Sequence, residues 1–168
     1  MFDIDMHKNG ELIAHYVPYK TNTFDYNELN KTSALVKLNN PDQKYVVTAD
    51  FSGCAFIIGV GKRDMRIYHD RHPTANSNDK LARINAENRR AIRIDHLDNL
   101  NESELNKWNK RFYYGKDGYQ DKRGYIMMFY HNDEWYIAIT SLSRRKIEID
   151  DISTIPNNVQ IIRLLDLI

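Results

Sequence analysis

Cysteine is almost missing from this chain: 168 residues contain one, Cys54, beside four prolines and seven glycines. A single thiol forms no intrachain disulfide and assembles no cysteine-rich zinc module, so the fold must stand on packing. No apolar run approaches the roughly 20 residues of a membrane span. The opening stretch MFDIDMHKNG carries acidic side chains where an export signal needs a basic and then an apolar segment. A soluble chain without a recognisable export signal or transmembrane segment is expected. Excess charge is missing too: 24 lysines and arginines stand against 23 aspartates and glutamates, a formal net charge of +1. That balance argues against nucleic acid as a partner. What is present is the 42% hydrophobic and 28% charged composition of an ordinary folded domain, with 11 tyrosines and 6 phenylalanines, which excludes wholesale disorder. The length predicts one domain over 1–168, large enough to bury a real core.

Turn residues divide the chain into short apolar runs. Phe2–Met6 and Leu12–Val17 flank Asn9-Gly10, a hairpin signature because both turn residues tolerate positive φ. Lys20–Lys31 is polar and predicts a loop or one short helix. Ala34–Leu38 and Tyr45–Thr48 form another pair of strands around Asn39–Asp42, and Ala55–Val60 is a continuous apolar run suited to a buried strand. Gly61–Asp64 breaks it and Met65–His69 resumes it. Asn78 or Asp79 is a candidate cap for a helix carrying Leu81 and Ile84. A second helix is expected from near Asn101 or Ser103, through Leu105, Trp108 and Phe112, to Gly115, followed by a polar loop to Gly124. Tyr125–Tyr130 and Trp135–Thr140 flank His131–Glu134 as a clear hairpin. Lys146–Ile149 and Val159–Ile168 supply further strands, the last equally compatible with helix. Consecutive hairpins with two inserted helices predict an α+β architecture.

The candidate chemistry sits on Cys54 and His69. For an antiparallel hairpin centred on Gly61-Lys62, Val60 pairs with Arg63, Ile58 with Met65, Phe56 with Ile67 and Cys54 with His69. Directly opposed side chains lie about 4.5–5.5 Å apart at Cβ, close enough for a thiol to hydrogen-bond an imidazole. Alternation puts Cys54, Phe56, Ile58, Met65, Ile67 and His69 on one face. A thiol is mostly protonated at neutral pH, and an imidazole that takes its proton yields the nucleophilic thiolate. Cys54 is thus the candidate nucleophile and His69 the candidate base, later the acid. Ser52 and Gly53 let the backbone bend closely around a substrate, and the Cys54 amide is placed to stabilise an oxyanion. A third group should orient the imidazole.

At Phe51-Ser52-Gly53-Cys54, with His69 fifteen positions on, the sequence resembles the cytotoxic necrotizing factor and Burkholderia lethal factor deamidases, whose signature is Leu-Ser-Gly-Cys followed by a histidine on the next strand. These resemble the bacterial chemoreceptor deamidases in fold. Some members place a threonine six residues before the cysteine as third catalytic group, the position of Thr48. The resemblance spans Thr48 to His69, about an eighth of the chain, with phenylalanine replacing leucine. It implies a central, mostly antiparallel β-sandwich flanked by helices. It implies a cofactor-free protein-glutamine deamidase, with transglutamination as a side activity. It further implies a bacterial toxin or effector, secreted or injected, that converts an exposed glutamine of a host protein to glutamate in the host cytosol. A monomer is expected, with neither nucleic acid nor membrane as partner.

Three other readings compete. Cys54 as a core residue of a non-enzymatic binding module is the first, since free cysteine is among the most buried residue types. An endogenous chemoreceptor-type deamidase is the second, although the order Ser-Gly-Cys leans toward the toxin group. Zinc bound by Cys54, His69, His72 and Asp70 is disfavoured because strand alternation turns His69 and His72 to opposite faces. Arg89, Arg90 and Arg93, and Arg144, Arg145 and Lys146, read as solvated basic faces or as a means of steering an acidic target. His7, His15, His96 and His131 receive no role. Trp108, Trp135 and the tyrosines from Tyr113 to Tyr136 read as packing, with Tyr113, Tyr114 and Tyr119 available to a protein substrate.

Overall fold

A computed structural model describes residues 7–8, 11–12, 14–19, 22–96, 108, 110–114, 121–144 and 159–168. In chain order the elements are β1 (His7–Lys8), β2 (Glu11–Leu12), β3 (His15–Val17), α1 (Tyr26–Lys31), β4 (Ala34–Lys37), β5 (Tyr45–Thr48), β6 (Ala55–Val60) and β7 (Asp64–Asp70). There follow α2 (Ser77–Ala86), β8 (Arg90–His96), β9 (Lys110–Tyr114), β10 (Asp121–His131), β11 (Glu134–Arg144), β12 (Val159–Arg163) and a closing 3-10 turn, Leu164–Leu167.

Two five-stranded sheets, ordered β12-β11-β10-β5-β3 and β4-β7-β6-β8-β9, carry the fold. Pairing is antiparallel except at one edge of each, where β3 runs parallel to β5 and β9 parallel to β8. Val46, Ile126, Met128, Ile137 and Ile139 of the first sheet meet Val36, Phe56, Ile58, Met65, Ile67, Ile92 and Ile94 of the second in one core. Trp135 crosses the layer to donate its indole N–H to the Lys37 carbonyl at 3.1 Å. On its other face the second sheet packs Ala55, Ile57, Tyr68 and Ala91 against Tyr26 and Leu29 of α1 and Leu81 and Ile84 of α2. This is the expected α+β sandwich with helices on a flank. Its layering explains why β6 reads as an unbroken apolar run: sheet covers one face and helices the other, so every residue is buried.

Local chemistry accounts for the ends. Asn132 and Asp133 both take positive φ, the two-residue turn that suits the twist of the long β10–β11 hairpin. Asp25 caps α1 by accepting from the Glu28 amide at 2.9 Å.

Several expectations need correction. β4 and β5 are both strands but lie in different sheets, because each finds a longer-range apolar partner, β7 for one and β10 with β3 for the other. Helix α2 starts earlier than the Asn78 or Asp79 cap, after Asn76 in a left-handed conformation whose side chain donates to the Phe24 carbonyl instead. Phe112 lies in β9, paired with Ile94, so the helix expected across it does not extend there; parallel pairing beside β8 outweighs the helical spacing. Earlier in that segment Trp108, a buried bend residue, is described and is not helical; residues 101–107, the strand expected at Lys146–Ile149 and the residues Phe2–Met6 lie outside the described residues. The polar loop expected up to Gly124 ends by Asp121, where β10 begins. The last run divides into β12 and the 3-10 turn.

Candidate functional site

The face predicted from alternation exists. Phe56, Ile58, Met65 and Ile67 point into the inter-sheet core and Cys54 packs against it. The predicted register is wrong by two positions: Phe56, not Cys54, is opposite His69, and Val60 is opposite Met65. The cause is the turn. The Gly61 amide donates to the Asp64 carbonyl at 2.8 Å, centring the loop on Lys62-Arg63. Arg89 holds it there by pairing with the Asp64 carboxylate at 2.8 Å. A Cβ on Gly61 would meet the Arg89 guanidinium at 2.9 Å and the Asp64 carbonyl at 3.0 Å, so a side chain there would crowd the clamp. Because the shift is even, Cys54 and His69 keep the same face as diagonal neighbours. Such neighbours lie about 7–8 Å apart, somewhat less at Cβ, a gap that a thiol and an imidazole extending toward each other can narrow.

His69 is built into the end of the sandwich with 1% of its surface exposed. Its Nδ1 lies 2.8 Å from the Thr48 hydroxyl, which donates its own proton to the Val17 carbonyl at 2.7 Å. A hydroxyl whose proton is committed can only accept, so Nδ1 carries the imidazole proton and Nε2 the lone pair. Nε2 is buried without a hydrogen-bond partner. The Phe51 ring stacks on the imidazole at 4.1 Å and 10°, and Tyr19 lies 5.9 Å away. Phe51 is itself fixed by two backbone bonds with Gly124, of 2.7 and 2.9 Å. Of the residues that resemblance and pairing singled out, Thr48 and His69 are joined by a hydrogen bond that orients the imidazole, while Cys54 shares the face of His69 without its sulfur hydrogen-bonding Nε2. Phe51 as the imidazole's stacking wall and the Val17 carbonyl as anchor were not foreseen. An aromatic residue inside the motif was the available signal for the first; a backbone acceptor has none.

Cys54 is half-buried. Burial pushes its thiol above the ordinary value, while a backbone hydrogen bond with Ser52 and the positive charge of Arg71 pull it back. Burial, with a smaller contribution from Arg71, lowers His69 to about 4. At neutral pH both the thiol and the imidazole are neutral, and the imidazole lone pair is buried and unpartnered. Ser52 is exposed, and Gly53 takes φ +86° with no atom near a notional Cβ, so the backbone ahead of the sulfur is open.

The His69 shift sets an acid limit on stability. An unfolded histidine takes its proton near pH 6.5 and the folded one only near 4, so the unfolded state binds more protons between those values. Stability attributable to His69 is intact above pH 6.5 and falls by about 3 kcal/mol as pH drops to 4. Urea unfolding of wild type and His69→Gln across that window measures it: the wild type should lose more stability by roughly that amount, and parallel curves would contradict the shift.

The zinc arrangement is not formed. The Asp70 carboxylate turns to the helix side, accepting from Lys80, the Thr23 hydroxyl and the His72 amide. The His72 ring stacks on Phe24 at 3.8 Å. Among the described residues no group of three His, Cys, Asp or Glu could hold a metal ion. The basic face at Arg89 to Arg93 also needs correction: Arg90 is exposed, but Arg93 is fully buried against Asp95 and Trp108, and Arg89 is mostly buried on Asp64. Arg93 thereby neutralises the fully buried Asp95 carboxylate, whereas the Asp64 carboxylate that Arg89 engages stays partly exposed. A groove of about 430 Å³ lies on the outer face of the first sheet, between Tyr45, Val47, Tyr125, Met127 and Ile161; of the three site residues, Thr48 alone lines it. No described helix is long and apolar enough to cross a membrane.

No family model matches the chain, and no curated protein matches it.

Proposed function

We propose that this protein is a cysteine-dependent protein-glutamine deamidase, acting as a bacterial effector on a host protein. The observation that carries the reading is the Thr48–His69 hydrogen bond, which leaves the buried Nε2 as a base without a partner on the same face as Cys54. In the reaction Cys54 Sγ attacks the carboxamide carbon of a target glutamine while its proton passes to Nε2. The oxyanion lies against the Cys54 amide and the open backbone of Ser52 and Gly53. His69 returns the proton to the leaving nitrogen, ammonia departs and a thioester remains. Water, deprotonated by Nε2, resolves the thioester to glutamate and restores the thiol. An amine in place of water gives transglutamination. Exchanging a carboxamide for a carboxylate adds a charge and removes two N–H donors, enough to disable a catalytic glutamine or a binding surface.

One observation favours the competing reading of a binding module with a core cysteine: Cys54 packs on the inter-sheet core and burial raises its thiol. Incubating host lysate with wild type and Cys54→Ala, then searching by mass spectrometry for glutamines converted to glutamate, separates the two. A small set of conversions confined to the wild type supports the enzyme. Identical peptide profiles support the packing role.

Thr48 is a positioning residue in this scheme. Thr48→Val leaves Nδ1 without its acceptor, and activity should fall about 10- to 100-fold, the usual cost of removing a partner that fixes a histidine's tautomer. Thr48→Ser should restore most of it. Equal losses in both variants would show that packing, not the hydroxyl, matters.

A further inference from the structure

Beside the sulfur stands a cation that the proposed chemistry does not use. The β6–β7 register ends with Ala55 opposite Asp70, and one step further along the same ladder brings Arg71 to the position facing Cys54. The Arg71 backbone is held firmly. Its amide donates to the Thr23 hydroxyl at 2.9 Å, and that hydroxyl donates to Asp70 at 3.0 Å. Asp70 is locked by a fully buried ion pair with Lys80 at 2.9 Å. The side chain is exposed, and among the described residues no ion pair engages its guanidinium. Its charge is felt by both Cys54 and His69. Asp70, next to Arg71 in sequence, is paired with Lys80, and Asp70 and Asp50 oppose the effect of Arg71 on the sulfur. An exposed guanidinium on a firmly held backbone, with no ion-pair partner among the described residues, is suited to receive a carboxylate near the thiol.

We propose that Arg71 is a specificity residue that receives a substrate carboxylate, so that the site selects glutamines flanked in the target protein by aspartate or glutamate. This rests on the deamidase reading for its substrate, but the local charge is testable without it. Alkylation of Cys54 by anionic iodoacetate and by neutral iodoacetamide, compared at pH 9 and low salt, reports the field at the sulfur directly. The iodoacetate-to-iodoacetamide rate ratio should fall roughly 5-fold in Arg71→Gln, stay near wild type in Arg71→Lys, and lose most of this difference in 0.5 M salt as screening sets in. Because both reagents need the same thiolate, a change in thiol ionisation cancels in the ratio. An unchanged ratio in Arg71→Gln overturns the proposal. Ammonia release from paired glutamine peptides, one with glutamate beside the glutamine and one with serine there, supplies the second arm. Wild type should prefer the acidic peptide several-fold, and Arg71→Gln should prefer neither. Equal rates in wild type overturn the proposed selectivity. Ammonia from neither peptide counts against the deamidase reading, while the alkylation ratio still decides the role of Arg71.

Discussion

Replacing His69 with alanine should lower Cys54-dependent amide hydrolysis by roughly 100- to 10,000-fold, the range that a positioned general base contributes. The size of the effect follows from the resting state. Burial holds the Cys54 thiol protonated and the imidazole neutral at pH 7, so in the proposed mechanism the thiolate is made during attack, with Nε2 as the acceptor of its proton. The Ser52 backbone hydrogen bond and Arg71 favour the thiolate but remove no proton. Alanine also leaves a hole behind the Phe51 ring, and His69→Gln, which keeps much of the volume and has no basic nitrogen, should fall equally far. Ammonia release from a glutamine substrate reads both variants. Activity in His69→Gln within a few-fold of wild type would remove the histidine from the mechanism.

The second large effect concerns stability. Lys80→Met should cost about 3–5 kcal/mol, because Asp70 is left charged and unpaired where neither partner has any exposed surface. The Lys80 ammonium also donates to the His72 carbonyl at 2.8 Å, so the same change frees the turn after β7 that mounts Arg71. The double variant Asp70→Leu/Lys80→Met removes both charges and should recover a large part of the loss, since the penalty comes from the orphaned carboxylate more than from the missing attraction. Urea midpoints for the two variants decide it. A Lys80→Met protein within 1 kcal/mol of wild type would contradict the assignment of a buried, charged pair.

How much of this was legible follows from what each signal measures. Alternation fixed the faces of β6 and β7 because burial of Phe56, Ile58, Met65 and Ile67 enforces it. It could not fix the register, since a slip of two residues preserves every inward side chain. The deciding interaction, Arg89 on the Gly61–Asp64 turn, comes from a residue 25 positions beyond Asp64. The β10–β11 hairpin was readable because its turn is local and Asn132 and Asp133 accept positive φ. Strand β9 was not, because its pairing with β8 is parallel and non-local while its own sequence fits helical spacing. In the site, Thr48 was named by resemblance and its hydroxyl does reach His69. A lone arginine such as Arg71 reads as surface in a sequence, and only the observed register carries it toward Cys54.

Nitrogen-15 NMR of the His69 ring tests the core of the mechanism without any substrate. The arrangement requires a proton on Nδ1, held by Thr48, and an unprotonated Nε2 at pH 7 that takes up a proton only near pH 4. A spectrum with that tautomer, and with the Nε2 signal moving when Cys54 is alkylated, is the predicted result. A proton on Nε2 at pH 7, or a ring indifferent to the state of Cys54, would leave the thiol without a base and contradict the mechanism.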